Sequence, residues 1–287
     1  VTGAGKSYFI QTVTGSSEVE VSSDLHSCTN KVQSYSFGYG GAKITLVDTP
    51  GFNDTNRSDT EVLQEIANWT SETYRKDQLL TGIIYLHPIT HTRMEGSSMR
   101  NLRTFRSLCG QEVLENVLLT TTQWSNVNQA EAERRENKLH DQDFWGGLMG
   151  KGATLERFHG TRDSGLELIH KLMSKTPKRL DIQDQIVEQN LSLPETNAGQ
   201  CVNEELIAQE KKFKEELESL ENQLREAIGQ RDDEIRALMD EQAKIQKRLE
   251  MAIAGMKLLA ELHTREGKGT KLVRERRKRG VHMMGFD

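Results

Sequence analysis

Short apolar runs alternate with amphipathic stretches over residues 1–176 of the chain. The runs predict strands, and the stretches, in which apolar residues recur every three to four positions, predict helices. The predicted strands are 31–37, 43–49, 81–87, 116–122 and 154–159, and the predicted helices are 58–76, 97–109, 127–140 and 164–174. This alternation favours an α/β domain with a mostly parallel sheet.

A different pattern follows the α/β domain. Residues 177–202 are predicted to connect two parts of the chain, with a helix over 178–191 and a hinge or linker at Pro194–Gly199. From 203 to 263 there is no proline, and apolar residues keep three- and four-residue spacings. We predict one long helix with a coiled-coil seam in this range.

The predicted seam is imperfect, because Arg231 and Gln242 occupy two of its positions. A helix of this length is too long to be covered by the α/β domain alone, so it either pairs with another chain or folds back on itself near Gly229. A charge-rich single helix without a partner is the alternative.

Residues 264–287 form a basic tail. Eight lysines and arginines against two glutamates give residues 264–280 a local charge of +6. Such a cluster is typical of contact with an anionic membrane surface, a nuclear import signal or a nucleic-acid contact, and a solvated terminus is the alternative.

Composition narrows these possibilities. A hydrophobic share of 35% is low for a compact globule, which agrees with a helical part outside the packed core. The net charge of −5 argues against a surface built for nucleic acid, and we expect no sequence-specific nucleic-acid partner. Three scattered cysteines without a Cys-x-x-Cys pair predict a reducing, cytoplasmic setting, and the apolar runs are too short to cross a bilayer, so any membrane contact is peripheral.

The first seven residues, VTGAGKS, match the phosphate-binding pattern G-x-x-x-x-G-K-[ST] from its second position onward. Gly3, Ala4 and Gly5 would turn backbone N–H groups onto phosphate oxygens. Lys6 would reach the β- and γ-phosphates, and the Ser7 hydroxyl would ligate Mg²⁺. A chance glycine-rich turn is the other interpretation.

A second motif, KITLVDTPG at 43–51, is an apolar strand that ends in Asp-x-x-Gly. Asp48 would hold Mg²⁺ directly or through water, and the Gly51 N–H would contact the γ-phosphate. A plain exit from a strand into a turn is the alternative, but the position about forty residues after the first motif favours a nucleotide site.

With these two motifs, residues 1–174 resemble the translation-factor-related GTPases. Within that class they are most similar to the septin-like group, which includes the GTPases of immunity-associated proteins (GIMAP) and related fungal G-domain proteins. The resemblance implies a three-layer P-loop NTPase sandwich, GTP or GDP as ligand, and Mg²⁺. It also implies a switch threonine, matched here by Thr29, which would cap Mg²⁺ and the γ-phosphate; alternatively, Thr29 simply begins the strand 31–37.

The base-reading loop departs from the family pattern. The expected Asn/Thr-Lys-x-Asp should follow the strand 116–122, but the residues at 120–125 are TTTQWS, which lack the aspartate that rejects adenine. We expect Trp124 to stack on the base and Gln123 to read one edge, with packing as the alternative for Trp124. His159-Gly160-Thr161 matches the last base-contacting loop.

No catalytic residue is assigned, because Phe52 follows Gly51 where small GTPases carry a water-orienting glutamine. We therefore expect a weak GTPase whose hydrolysis is raised when G domains pair and supply the missing group in trans. Candidate helpers, each interpreted first as a surface residue, are Arg57, Arg93, His26, His87 and His91.

The P-loop motif normally follows an apolar central strand, and no residues precede Val1 to form it. We therefore expect the first strand to be missing from the sheet and its neighbours to expose unpaired edges.

Two functions from different classes follow from these observations. The favoured one is a GTP-dependent assembly switch, homo-oligomeric through the G domain and the coiled coil, with the basic tail on an anionic membrane. The alternative is a coiled-coil scaffold with a degenerate nucleotide-binding domain. An ATP-dependent enzyme is a third, kept open only by the missing guanine-reading aspartate.

Overall fold

The computed structural model, which describes residues 3–16, 32–52, 57–91, 96–227 and 232–280, contains five strands within those ranges. They are β1 Gln33–Tyr39, β2 Ala42–Asp48, β3 Ile83–Pro88, β4 Val117–Thr122 and β5 Thr154–Arg157. β1 and β2 form an antiparallel hairpin, while β3, β4 and β5 form a parallel sheet in that order. Among the described residues β2 and β3 are not paired, so the sheet is divided between them.

Seven α-helices precede residue 190 in the described ranges, namely α1 Lys6–Thr14, α2 Asp59–Arg75, α3 Gly96–Cys109, α4 Gln129–Leu139, α5 Gly147–Met149, α6 Arg162–Met173 and α7 Asp181–Gln183. The four helices predicted from periodicity correspond to α2, α3, α4 and α6. The predicted connector helix over 178–191 is wrong in length, because only α7 and one π-helical turn, Asp184–Glu188, are helical there.

Alternate side chains of β3 show which helices lie on each face of the sheet. Leu86 belongs to an apolar cluster with Phe9 of α1 and Leu168 of α6. Tyr85, one position earlier, places its ring 4.8 Å from that of Phe105 in α3. The parallel sheet therefore lies between α1 and α6 on one face and α3 on the other, which gives the three layers expected of this fold class.

Helices α1 and α6 approach each other closely at Gly165. A β-carbon at this position would lie 2.4 Å from Cγ2 of Val13, which is fully buried in α1. Any larger residue would have to push α6 away from α1, so the glycine permits the contact that holds the P-loop helix against the core.

The chain divides into two units, residues 1–189 and 190–287. The second unit begins with a single 3₁₀ turn, Leu193–Glu195, and then continues as α8 Asn197–Ala227 and α9 Asp232–Gly280. The linker predicted at Pro194–Gly199 is therefore wrong. Pro194 lies inside the 3₁₀ turn, where a proline costs no helical hydrogen bond, and Ala198 and Gly199 lie in the first turn of α8.

Helices α8 and α9 pack against each other in antiparallel directions. Arg248 of α9 pairs with Glu216 of α8 at 3.5 Å and lies over the ring of Phe213, while Gln242 donates to Glu221 at 3.4 Å. The prediction of one long helix is therefore wrong. The fold-back arrangement is the one observed, although Gly229 itself lies outside the described residues, and the coiled-coil seam stays a prediction.

The predicted boundary between the helix and the basic tail at 263/264 does not interrupt α9, whose backbone is helical to Gly280. No helix among the described residues is long and apolar enough to span a membrane.

Candidate functional site

The N-terminal motif forms a tight loop that leads into α1. Gly3 and Gly5 adopt positive φ angles of 78° and 86°, which residues with a β-carbon rarely adopt, and Ala4 between them is buried. Gly5 is the N-cap of α1, so Lys6 and Ser7 occupy the first helical turn. Backbone N–H groups at a helix N-terminus favour an anion, as the phosphate-binding prediction requires.

Two motifs far apart in the sequence meet at the start of α1. The Ser7 hydroxyl donates to Oδ2 of Asp48 at 2.7 Å. Asp48 is the last residue of β2 and is only 3% exposed. A hydroxyl and a buried carboxylate thus lie together at the end of the P-loop, with the hard oxygen donors that Mg²⁺ prefers.

The end of β4 contacts the P-loop from the other side. Thr122 donates its hydroxyl to the Ala4 carbonyl at 3.0 Å. The Gln123 amide nitrogen donates to the Gly3 carbonyl at 2.9 Å, and its amide oxygen accepts from the Thr90 hydroxyl at 2.8 Å. The role predicted for Gln123 as a reader of the base edge is not what its contacts show, since both ends of the amide bind the protein.

Trp124 is held by two neighbours, Thr121 and Arg157. Its indole N–H donates to the Thr121 hydroxyl at 3.1 Å, and the Arg157 guanidinium lies 4.3 Å from its ring centroid. Buried Glu136 accepts hydrogen bonds from Arg157 Nε and Nη2, and this contact holds the pKa of the Arg157 guanidinium above its usual range. With Arg157 over one face of the indole, a base would have only the opposite face for stacking.

The loop after β5 lies next to the P-loop helix. Tyr8 of α1 donates its hydroxyl to the Gly160 carbonyl at 3.1 Å. Thr161 caps α6 by accepting from the Ser164 N–H at 3.3 Å. The predicted base loop His159-Gly160-Thr161 is thus held to α1, at the carboxyl end of the parallel strands where nucleotides bind in open α/β sheets.

The remaining predicted site residues and catalytic helpers differ in whether the structure describes them and in how exposed they are. Gly51 is buried and Phe52 half-buried, whereas Thr29 lies outside the described residues. Of the candidate catalytic helpers, Arg93 and His26 are also outside them, Arg57 is half-buried and His91 is exposed. The interpretation of His87 as a surface residue is wrong, because it lies on β3 at 4% exposure.

Two contributors to the site were missed in the sequence, namely Thr122, which contacts the P-loop directly, and Thr90, which contacts Gln123. Both residues lie at or just beyond the carboxyl end of a parallel strand, β3 and β4 respectively. This position was the available signal, since side chains at that edge converge on the ligand site of such sheets.

Comparison with known proteins gives one family model and several remote relatives. Residues 1–100 match the family model described as 50S ribosome-binding GTPase. The chain is 28% identical to GTP-binding protein A of Dictyostelium discoideum over a match of 126 residues. This match covers 44% of this chain and 27% of that protein. The chain is 24% identical over 202 residues to Translocase of chloroplast 90, chloroplastic, of Arabidopsis thaliana, which covers 70% of this chain and 23% of that protein. Both matches span about a quarter of the relative's length.

A solved structure of the chloroplast translocon components atToc33 and psToc159 superposes with a TM-score of 0.50 at 15% identity, over 62% of this chain and 82% of that one. At that identity the superposition shows the fold alone. Together with the family model, it shows that the N-terminal unit has the fold of a P-loop GTPase domain.

Proposed function

We propose that the N-terminal unit binds GTP or GDP together with Mg²⁺ and hydrolyses GTP slowly. The observation that carries the proposal is the 2.7 Å contact between the Ser7 hydroxyl and Asp48, which joins two motifs separated by 41 positions in the sequence. These residue types at these places bind the metal and the phosphates in P-loop sites. The septin-like or GIMAP subtype is part of the proposal.

The oxygen donors of Ser7 and Asp48 suit Mg²⁺, which binds hard oxygen ligands. When bound, the ion would neutralise phosphate charge. Lys6, in the first turn of α1, would bind the β- and γ-phosphates, and the backbone N–H groups of Gly3 to Gly5 would hold the remaining phosphate oxygens. Gly51 would contact the γ-phosphate through its N–H.

Slow hydrolysis follows from Phe52, because a phenyl ring cannot orient the attacking water. We propose that pairing of two G domains supplies the missing group in trans, since phosphoryl transfer depends mainly on positioning and charge stabilisation. For atToc33 and psToc159, dimerization is important for the GTPase activity. This relationship supports a homo-oligomeric form of the present chain.

In this proposal the nucleotide state controls assembly. The α8–α9 pair would extend a coiled coil to further copies, and the basic end of α9 would contact an anionic membrane surface from the cytoplasm.

A scaffold with a degenerate nucleotide-binding domain is the second candidate. Phe52, the missing aspartate after β4 and the engagement of the Gln123 amide by the protein all favour it. The two candidates differ in whether nucleotide binds and is turned over.

Binding is tested by calorimetric titration of the full chain with GTP, GDP and ATP, each with and without Mg²⁺. We expect Mg²⁺-dependent binding of GTP, and its loss in Lys6→Ala, because the ammonium contacts the phosphates. Lys43→Ala, which removes an exposed lysine of β2, is the matched control and should bind as the parent does. Undetectable binding of all three nucleotides would move the assignment to the scaffold.

Hydrolysis is tested by measuring GTP turnover per molecule over a range of protein concentrations. Stimulation by pairing predicts that the specific rate rises with concentration. A fast rate in dilute protein that stays constant across the range would contradict the trans mechanism.

A further inference from the structure

The amide of Gln123 is engaged at both ends by the protein. Nε2 donates to the Gly3 carbonyl at 2.9 Å, and Oε1 accepts from the Thr90 hydroxyl at 2.8 Å. Since a carbonyl oxygen only accepts hydrogen bonds, the nitrogen end of the amide must face Gly3, which fixes the orientation of the group.

The backbone of Gln123 adopts φ 63° and ψ 34°, in the left-handed region that residues other than glycine seldom occupy. Such conformations persist where the surrounding structure requires them, often beside ligand sites. Directly before it, Thr122 donates to the Ala4 carbonyl at 3.0 Å. Two successive residues at the end of β4 thus hold two successive carbonyls of the P-loop.

Further hydrogen bonds anchor this pair of contacts. The Ile89 N–H donates to the Thr122 carbonyl at 2.9 Å, and Arg135 Nη1 donates to the carbonyls of Ile89 and Thr90, each at 2.9 Å. The partner of Gln123 is therefore fixed to α4 through Arg135.

Peptide geometry gives these contacts a consequence for ligand binding. In a trans peptide the C=O and the following N–H point in opposite directions. The Gly3 and Ala4 carbonyls point to Gln123 and Thr122, so the N–H groups of Ala4 and Gly5 point away from the end of β4. These are two of the donors that a phosphate-binding loop offers.

We propose that Gln123 is a positioning residue, which orients the Ala4 and Gly5 N–H groups for a polyphosphate and does not read the base. The inference rests on the proposed function, in that the loop must bind a polyphosphate. It assigns to Gln123 the phosphate end of the ligand, where sequence alone assigned the base.

The test compares three ligands on the full chain: Mg²⁺ with GTP, with ATP, and with inorganic tripolyphosphate, which has no base. Gln123→Met keeps the side-chain length but removes both hydrogen bonds. We expect it to weaken all three ligands by the same factor, about 3- to 10-fold, and to leave the ratio of GTP to ATP affinity unchanged. Gln129→Met, in which an exposed glutamine of α4 loses its bond to Glu133, is the matched control and should bind as the parent.

Two further variants separate the ends of the amide and protect the test against misfolding. Gln123→Glu keeps an acceptor for Thr90 but has no donor for Gly3, so it should weaken tripolyphosphate at least as much as Gln123→Met. Thr90→Val removes only the outer contact and should have a smaller effect in the same direction. Thermal melting of each variant checks that the domain is folded. If the Gln123 variants do not fold, the affinity of Thr90→Val for tripolyphosphate tests the proposal instead.

The proposal is overturned if Gln123→Met binds tripolyphosphate like the parent, whether or not the ratio of GTP to ATP affinity changes. A changed ratio would return Gln123 to the role of base reader. Failure of the parent chain to bind any of the three ligands would instead refute the proposed function itself.

Discussion

Tyr85 and His87 project from β3 on the side of α3, and each carries a buried polar atom without a hydrogen-bond partner among the described residues. Trp145 lies beside both, with ring centroids at 6.3 Å from Tyr85 and 5.8 Å from His87. A buried polar atom without a hydrogen-bond partner costs free energy of folding. Replacing either side chain should therefore change the stability of the domain.

Replacing Tyr85 with phenylalanine should stabilise the domain by about 1 kcal/mol, because the ring stays packed on Phe105 and only an unsatisfied hydroxyl is removed. Burial also raises the pKa of this hydroxyl, which therefore stays protonated. Tyr74→Phe is the control, since the Tyr74 hydroxyl donates to Glu188 at 2.7 Å and its loss should not stabilise. Urea unfolding measures both. A destabilised Tyr85→Phe would mean that the hydroxyl is satisfied in solution.

His87 should make the domain sensitive to acid. Burial, followed by the neighbouring His91, lowers the pKa of His87 from 6.5 to about 4. As the pH falls below 6.5, the unfolded chain gains a proton at His87 that the folded chain does not accept. The free energy of unfolding therefore keeps its full value above pH 6.5 and decreases as the pH falls toward about 4. The loss is about 3 kcal/mol at most.

The measurement is the free energy of unfolding from about pH 7 to about pH 4, for the parent and for His87→Phe. The variant keeps a ring against Trp145 and should show a flatter curve over this range. His170→Gln, at an exposed histidine of α6, serves as control and should follow the parent. Equal slopes for the parent and His87→Phe would contradict the assignment.

The contact between Ser7 and Asp48 could be predicted from the sequence, because both residues belong to motifs whose residue types and spacing are fixed by phosphate and Mg²⁺ binding. The partners of Gln123 were not predictable in the same way. Its bond to Gly3 joins positions separated by 120 residues and depends on how β4 ends beside the loop. The glutamine amide carries both a donor and an acceptor, so it can bind either a base edge or a backbone carbonyl. The sequence alone does not distinguish these two partners.

At the scale of elements, the helices α2, α3, α4 and α6 followed from periodicity because each buries one face. The strands followed from short apolar runs, and β4 is buried at all six of its positions. The helical segment Gln142–Met149 did not follow from either pattern, since it begins with an irregular π turn in which Phe144 has φ −107° and ψ −112°. Gly146 is needed there, because a β-carbon would lie 2.3 Å from the His140 carbonyl. Such close approaches leave no periodic trace in the sequence.

Helix α2 begins with a capping box that should matter for its stability. The Ser58 N–H donates to Glu61 at 2.8 Å, and the Ser58 hydroxyl accepts from the Glu61 N–H at 3.3 Å. Ser58→Ala should cost about 1 kcal/mol, whereas Ser58→Thr should retain most of the stability, because it keeps a hydroxyl that accepts from the Glu61 N–H and donates to the Glu61 carboxylate. Thermal melting compares the two variants, and an unchanged melting temperature for Ser58→Ala would show that the cap contributes nothing.

At the scale of the whole molecule, the division at residue 189 predicts two separable activities. A chain that ends at Gln189 should bind Mg²⁺ and GTP as the full chain does, because all contacts of the loop described above lie before that residue. It should also form smaller oligomers if the helical hairpin contributes to assembly. Titration and light scattering test the two statements separately, and a loss of binding would show that the second unit supports the nucleotide site.

Because α8 and α9 run in opposite directions, the pairing of Glu216 with Arg248 brings the later part of α9 back toward the residue at which α8 starts. The position of the basic segment at 264–280 relative to the start of α8 therefore does not depend on how long the two helices of the hairpin are. Matched seven-residue insertions, one in each arm, would lengthen the hairpin by about 10 Å and leave that segment at the same distance from Asn197.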